Sequence, residues 1–143
     1  MIGRLLGIDH GLKRIGLAVS DALGISAREH SIIVRGTVED DFEQIKTILL
    51  QERISAIVIG IPHDDFESEY SQADKVRNWA ERLQTIHTLP QIYWDESLTS
   101  QEATVLAKRL KRKVTDPIDD LAARLLLQSY LNALSEGMAP KPE

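Results

Sequence analysis

Leu5–Ser20 reads LLGIDHGLKRIGLAVS. An apolar run ends at one carboxylate, Asp9; Gly11, Lys13 and Arg14 follow at once, and a second apolar run, Ile15–Val19, begins directly after them. This pattern predicts strand, tight turn, strand. In an extended chain Leu5, Gly7 and Asp9 face one side and Leu6 and Ile8 the other, so Asp9 shares its face with a residue that has no side chain. That face is expected to be open beside the acid. Gly11 is expected to supply left-handed turn angles, and Gly16 to let another group approach the second strand closely. An acid next to a turn with two cations suits metal and phosphate; the same residues also suit an ordinary hairpin whose turn is charged.

Beyond this hairpin, Ser26–Val34 predicts a third strand, making an antiparallel meander. Thr37–Arg53 then changes period. Phe42, Ile45, Ile48 and Leu49 recur at helical spacing, with acids in the first turn and Arg53 expected in the last. Ala56–Ile61, wholly apolar and stopped by Pro62, predicts a central strand buried on both faces. Residues 63–70 form a polar, acid-rich loop. A helix from Ser71 to about Ile86 buries Ala73, Val76, Ala80 and Leu83, with Trp79 at the edge of that stripe. Gln91–Asp95 predicts the last strand.

Thr99 followed by Glu102 matches a capping box and opens another helix, whose stripe is Ala103, Leu106, Ala107 and Leu110. Asp116 and Pro117 look like the cap and first position of the final helix, which stays apolar around most of its circumference to Leu134 and is therefore expected to be central. Residues 137–143 are expected to fray. The result is one α/β domain over residues 1–136: a mixed five-stranded sheet, three strands in a meander and two parallel, with helices covering it.

With 143 residues, such a domain can bury roughly two-thirds of its unfolded surface. The chain has no cysteine, which excludes disulfides, thiol nucleophiles and zinc–thiolate sites and fits a reducing compartment, with cytoplasm the default. Neither a leader segment nor a membrane span is expected, since the first apolar run already reads as a strand. The net charge of −5 argues against a surface that binds nucleic acid all over, yet Lys108–Lys113 (KRLKRK) places five cations in six positions. That stripe is either a nucleic-acid contact or a solvated helix face.

Four stretches together resemble the YqgF/RuvX family of the ribonuclease H-like superfamily: GIDHGLKRIGLAVS at Gly7–Ser20, IVIGIP at Ile57–Pro62, DESLTS at Asp95–Ser100 and IDDLAARLLLQSYL at Ile118–Leu131. They span nearly the whole chain. The resemblance implies a ribonuclease H-like fold and a nuclease, of Holliday junctions or of precursor 16S ribosomal RNA. It also implies that Asp9, Glu96 and Asp119 meet as carboxylates of a Mg2+ or Mn2+ site. Two departures stand out. Ser97 occupies a position where relatives usually carry arginine, and HDDFESEYS at residues 63–71 replaces a loop that usually contains glycine.

The residues support this site by chemistry as well. Phosphodiester hydrolysis needs a deprotonated water and a neutralised leaving oxygen, which two hard dications held by carboxylates provide. Asp9 ends a strand. Glu96 shares the face of Ile92 and Trp94, whereas Asp95 points the other way. Asp119 lies in the first turn of a helix, where the dipole favours an acid whether it caps or binds, and Asp120 is its alternate. Lys13 and Arg14 are candidate substrate-phosphate contacts or solvated turn cations. His10 and His63 read as ordinary polar positions, and Trp79 and Trp94 as core.

Three functions follow: an endonuclease acting at the 5′ end of pre-16S rRNA; a resolvase of branched DNA, which would call for a two-fold dimer where the first allows a monomer; or an RNA-binding ribosome-assembly factor without catalysis. The Asp-His-Gly element also resembles the phosphate loop of actin-like ATPases, but those need two such domains, and one short chain does not supply them.

Overall fold

Alternation of apolar residues in the first two strands decides the architecture, because each strand has two faces to bury and each face finds a different helix. A computed structural model of the chain describes residues 2–62, 72–95 and 99–143, with the backbone alone at 99 and 100. The elements are β1 (Arg4–His10), β2 (Arg14–Ser20), β3 (Ala27–Val34), α1 (Val38–Gln51), β4 (Ile54–Ile61), α2 (Gln72–Ile86), β5 (Gln91–Asp95), α3 (Thr99–Arg109) and α4 (Asp119–Ser135). The five strands form one sheet in the order β3-β2-β1-β4-β5. β1, β2 and β3 are the antiparallel meander, and β4 and β5 run parallel to β1. The mixed five-stranded α/β fold with helices on both faces is the one the sequence predicts.

Leu6 and Ile8 of β1, Ile15 and Leu17 of β2, and Ile57 and Ile59 of β4 pack with Phe42, Ile45, Val76 and Leu83, so α1 and α2 cover this side. The other side is lined by smaller residues, Ala18, Ala27 and Ala56 with Leu5 and Val58, and receives Ala123, Leu127 and Tyr130 of α4. Small residues let α4 come close. The Cβ that Gly7 lacks would lie 2.9 Å from Leu127 Cβ and 3.2 Å from the Ala123 carbonyl oxygen. The face expected to be open beside Asp9 is therefore filled by α4, and the glycine is there for packing. α3 lies against α4 through Ala103, Ala107, Leu121 and Ala122.

Several boundaries differ from the sequence expectation. Arg53 is not in the last turn of α1; it follows the helix with a φ of 53°. Thr37, where the expected range begins, lies before the helix and caps it, accepting the Asp40 N–H at 3.1 Å. α3 stops at Arg109, Lys111 has a φ of 60°, and Leu110 is 47% exposed, so Leu110 is not part of the buried stripe. α4 begins at Asp119 rather than Pro117, and the Asp116 carboxylate instead accepts the Lys113 N–H at 2.8 Å. Asp-Pro here closes a turn before the helix. Gly11 does not have a positive φ; its N–H donates to the Arg14 carbonyl at 2.9 Å, and a Cβ would stand 2.6 Å from that oxygen. Close approach, not handedness, makes glycine necessary.

The chain's last residues are fastened up to Pro140. The Met138 N–H donates to the Ala133 carbonyl, the Tyr130 hydroxyl to that of Pro140, and Ala139 packs on the core beneath α4. Among the described residues no helix is long and apolar enough to cross a membrane.

Candidate active site

Because β1, β4 and β5 are parallel, all three finish at one edge of the sheet, the position where open α/β sheets present their ligands. Asp9 lies at this end of β1, directly opposite Gly16 of β2. Opposed residues in an antiparallel pair project to the same face, with Cβ positions about 5 Å apart. A Cβ on Gly16 would fall 1.8 Å from the Asp119 carbonyl oxygen and 2.9 Å from the Asp120 nitrogen. The first turn of α4 thus rests on the backbone of β2 where a side chain is missing, on the face to which Asp9 also projects. The close approach expected at Gly16 is made by the protein's own helix.

Arg14, at the start of β2, donates from Nε to Asp119 Oδ2 at 2.8 Å. Its partner is therefore the candidate acid itself, and the remaining guanidinium N–H groups stand beside it. Lys13 is exposed in the turn, and its carbonyl accepts the Arg35 N–H at 3.0 Å, which ties the turn to the residue after β3. Asp120 has a different task. Arg112 grips both its carboxylate oxygens, at 2.7 and 2.9 Å, and burial leaves Asp120 only 8% exposed. The hydrogen bonds it donates to Asp120 hold the Arg112 guanidinium even more firmly in its charged form. This pair closes the connection from α3 to α4, so Arg112 is not a solvated member of the basic stripe.

Lys108 and Lys113 of that stripe border a cleft of about 430 Å3 between α3, the connection and β2, lined also by Arg14 and Asp119. Lys108 and Lys113 thus share a groove with Asp119 and its partner Arg14. Asp95 ends β5 at the same edge, on the face opposite Ile92 and Trp94, which pack under α4. Glu96 and Ser97 lie outside the described residues, as do residues 63–71, His63 among them.

Asp9 and Asp119 offer hard oxygen donors in a chain without cysteine, a donor set that fits Mg2+ or Mn2+ rather than a soft metal. Among the described residues no group of three His, Asp or Glu side chains is gathered as a metal site. Of the histidine and tryptophan readings, one needs revision. Trp79 is core, as expected, but His10 is not an ordinary polar position: it is buried against the Trp79 ring at 4.7 Å, on the face opposite Asp9. Its strand parity predicts the inward face; nothing local in the sequence predicts that α2 would cover it.

A family model described as "RuvX: Holliday junction resolvase" matches residues 3–133. The chain belongs to the RuvX family. Among curated relatives of this RuvX-family protein is a "Putative pre-16S rRNA nuclease" of Syntrophus aciditrophicus, 39% identical over 140 residues, covering 96% of this chain and 93% of the relative. A protein of the same description from Halothermothrix orenii is 36% identical over 132 residues, covering 90% and 94%. Among solved structures, T. thermophilus RuvC in complex with Holliday junction substrate superposes with a TM-score of 0.65 at 16% identity, over 99% of each chain. The Fowlpox virus resolvase, in complex with Holliday junction DNA, gives 0.57 at 13% identity over 92% of this chain and 98% of that one. At such identity these two structures speak for the fold alone, which is the RuvC-like, ribonuclease H-like one.

Proposed function

We propose that this RuvX-family protein is a divalent-metal-dependent endonuclease that hydrolyses phosphodiester bonds in structured RNA, and that its substrate is the 5′ end of pre-16S rRNA. The observation that supports the reading is the seat of the first turn of α4 on Gly16, the residue paired with Asp9 across β1 and β2. RNA as the substrate follows the names of the curated relatives.

Asp9, Asp119 and Glu96 would hold the metal. A dication there supplies charge for the leaving oxygen and acidifies a bound water. Arg14 positions the Asp119 carboxylate through its Nε and presents its other N–H groups to substrate phosphate, and Lys13 adds a point charge at the turn. Lys108 and Lys113 line the cleft along which the backbone of the strand would run. The work is assigned to the cytoplasm.

The same site would serve branched DNA, a reading favoured by the fold shared with RuvC. Symmetric cleavage of a four-way junction calls for two sites related by a two-fold axis, so a homodimer in solution supports that substrate and a strict monomer speaks against it. Purified protein with Mg2+ or Mn2+ is expected to cleave an RNA carrying the 5′ leader of pre-16S rRNA. Asp9→Asn, Asp119→Asn and Glu96→Gln should each lose more than the roughly 100-fold that removing a group merely supporting a metal ligand costs, while melting as wild type. Tight RNA binding without cleavage of leader RNA, single-stranded RNA or a junction would leave a binding factor in place of the enzyme.

A further inference from the structure

The turn between β1 and β2 carries Lys13 and leads into Arg14, and a bond of its own, from the Gly11 N–H to the Arg14 carbonyl at 2.9 Å, closes it. A wider hold comes from Arg35, the residue after β3. Its Nη1 donates to the Gly11 carbonyl at 3.1 Å with the Leu12 carbonyl 3.5 Å away, and its backbone N–H donates to the Lys13 carbonyl at 3.0 Å. Three successive turn carbonyls thus face one residue.

Arg35 is itself fixed from behind. Asp41, fully buried in the first turn of α1, sets its Oδ2 3.7 Å from Arg35 Nε and accepts the Gly36 N–H on Oδ1 at 3.0 Å. Among the described residues neither Arg35 Nε nor Asp41 Oδ2 has a hydrogen-bond partner, so the two meet as charges alone. A buried ion pair of this kind adds little net stability, because the cost of desolvation offsets the attraction. What the guanidinium contributes is reach: one planar group turns Nε to Asp41 and Nη1 to the Gly11 carbonyl. Beyond the turn, Arg14 meets Asp119 at the start of α4. The turn is therefore held between α1 and α4.

We propose that Arg35, backed by Asp41, is a positioning residue: it sets the turn so that Lys13 and the remaining N–H groups of Arg14 meet the phosphate of the substrate strand. The inference rests on the reading of Lys13 and Arg14 as phosphate contacts. Arg35 acts through the turn and not on the phosphate, since its side chain is only 23% exposed and its donors are directed at the turn and at Asp41.

Binding of a short oligouridylate in metal-free buffer, followed as a function of salt, tests this apart from cleavage. Two variants keep the net charge. Arg35→Lys leaves one ammonium, which cannot face Asp41 and the Gly11 carbonyl together, and Arg35→Gln combined with Asp41→Asn removes both ions at once, so that no buried carboxylate is stranded. Each is expected to fold, to bind the RNA at least about fivefold more weakly at low salt, and to lower the slope of log K against log salt by about 0.7, one phosphate contact on a single strand. In a background already carrying Lys13→Ala and Arg14→Gln the same changes should cost less than about twofold, because the contacts they misplace are gone; a pair that serves only stability would cost the same in either background. Wild-type affinity and slope in either folded variant, an undiminished loss in the Lys13→Ala, Arg14→Gln background, or failure of both variants to fold would overturn the inference. If that background by itself binds as wild type does, the phosphate reading of the turn falls, and this inference with it.

Discussion

The two faces of the sheet are built to different tolerances. The face toward α1 and α2 is filled with large aliphatic side chains, Leu6, Ile8, Ile15, Leu17, Ile57 and Ile59, and holds its helices off at the distance those side chains require. The face toward α4 is lined by alanines and by Gly7 and Gly16, which bring a helix backbone into contact with strand backbone. The thick face provides burial, and the thin face provides position. The first turn of α4 can rest on β2 at the residue paired with Asp9 only because no side chain intervenes at Gly16.

Gly16→Ala is the hardest blow to that arrangement. One added carbon meets a carbonyl oxygen at 1.8 Å, so α4 must lift at its first turn. The expected cost is at or above the upper end of the roughly 1–3 kcal/mol of overpacked cores, together with loss of cleavage by whatever protein remains folded. Ile15→Ala is the matched change on the thick face, removing a fully buried side chain from the neighbouring position. It should cost a comparable ~2–5 kcal/mol yet leave activity per folded molecule near wild type. Denaturant melts paired with active-site titration test the contrast. Equal loss of activity in both variants would erase the distinction between the two faces.

The second difference is in acid. Burial, with the Arg35 charge behind it, pulls the His10 pKa from 6.5 down to about 4. The unfolded chain binds this proton as pH falls through 6.5, and the folded protein not until about 4. Stability from this group is therefore level above pH 6.5, and falls across the window from 6.5 to 4. His10→Phe keeps the ring against Trp79 and removes the titration. Its melting temperature, measured in metal-free buffer, should gain on wild type steadily as pH is lowered through that window. Parallel pH profiles for the two proteins would show that the imidazole is not held neutral.

The smallest effect concerns the cleft beside Asp119. Replacing Lys108 and Lys113 by Gln should leave folding unchanged and reduce the salt dependence of RNA binding by about two phosphate contacts. Arg112→Gln should instead destabilise the protein, because it strands the buried Asp120 carboxylate. If the lysine pair leaves the salt slope as it was, the cleft does not carry the strand.

Elements whose signal is local were legible. β5 is read from Gln91 to Asp95 as it stands, and α2 ends at Ile86 as its period predicts. Where two chemistries use the same residues, the reading slipped. Asp116-Pro117 has the form of a helix start, but the Asp116 carboxylate bonds Lys113 in a turn and the helix waits for Asp119. The basic run from Lys108 looked uniform, yet Arg112 is committed to Asp120 and the helix ends before Lys111. Asp119 and Asp120 are equivalent by position along the chain. Their separate partners, Arg14 and Arg112, come from different ends of the fold.

By itself the amino-acid order determined the sequence of elements, the alternation that sorts strand residues between two faces, the acids that end β1 and open α4, and membership of the RuvX family. These are short-range or whole-chain patterns, and periodicity or likeness carries them. Tertiary structure alone decided that Gly16 seats the first turn of α4, that Asp119 pairs with Arg14 and Asp120 with Arg112, and that His10 is buried against Trp79. Each of those depends on which distant surface meets which, and that is settled by the distance of closest approach between backbones, a quantity that no single stretch of the chain contains.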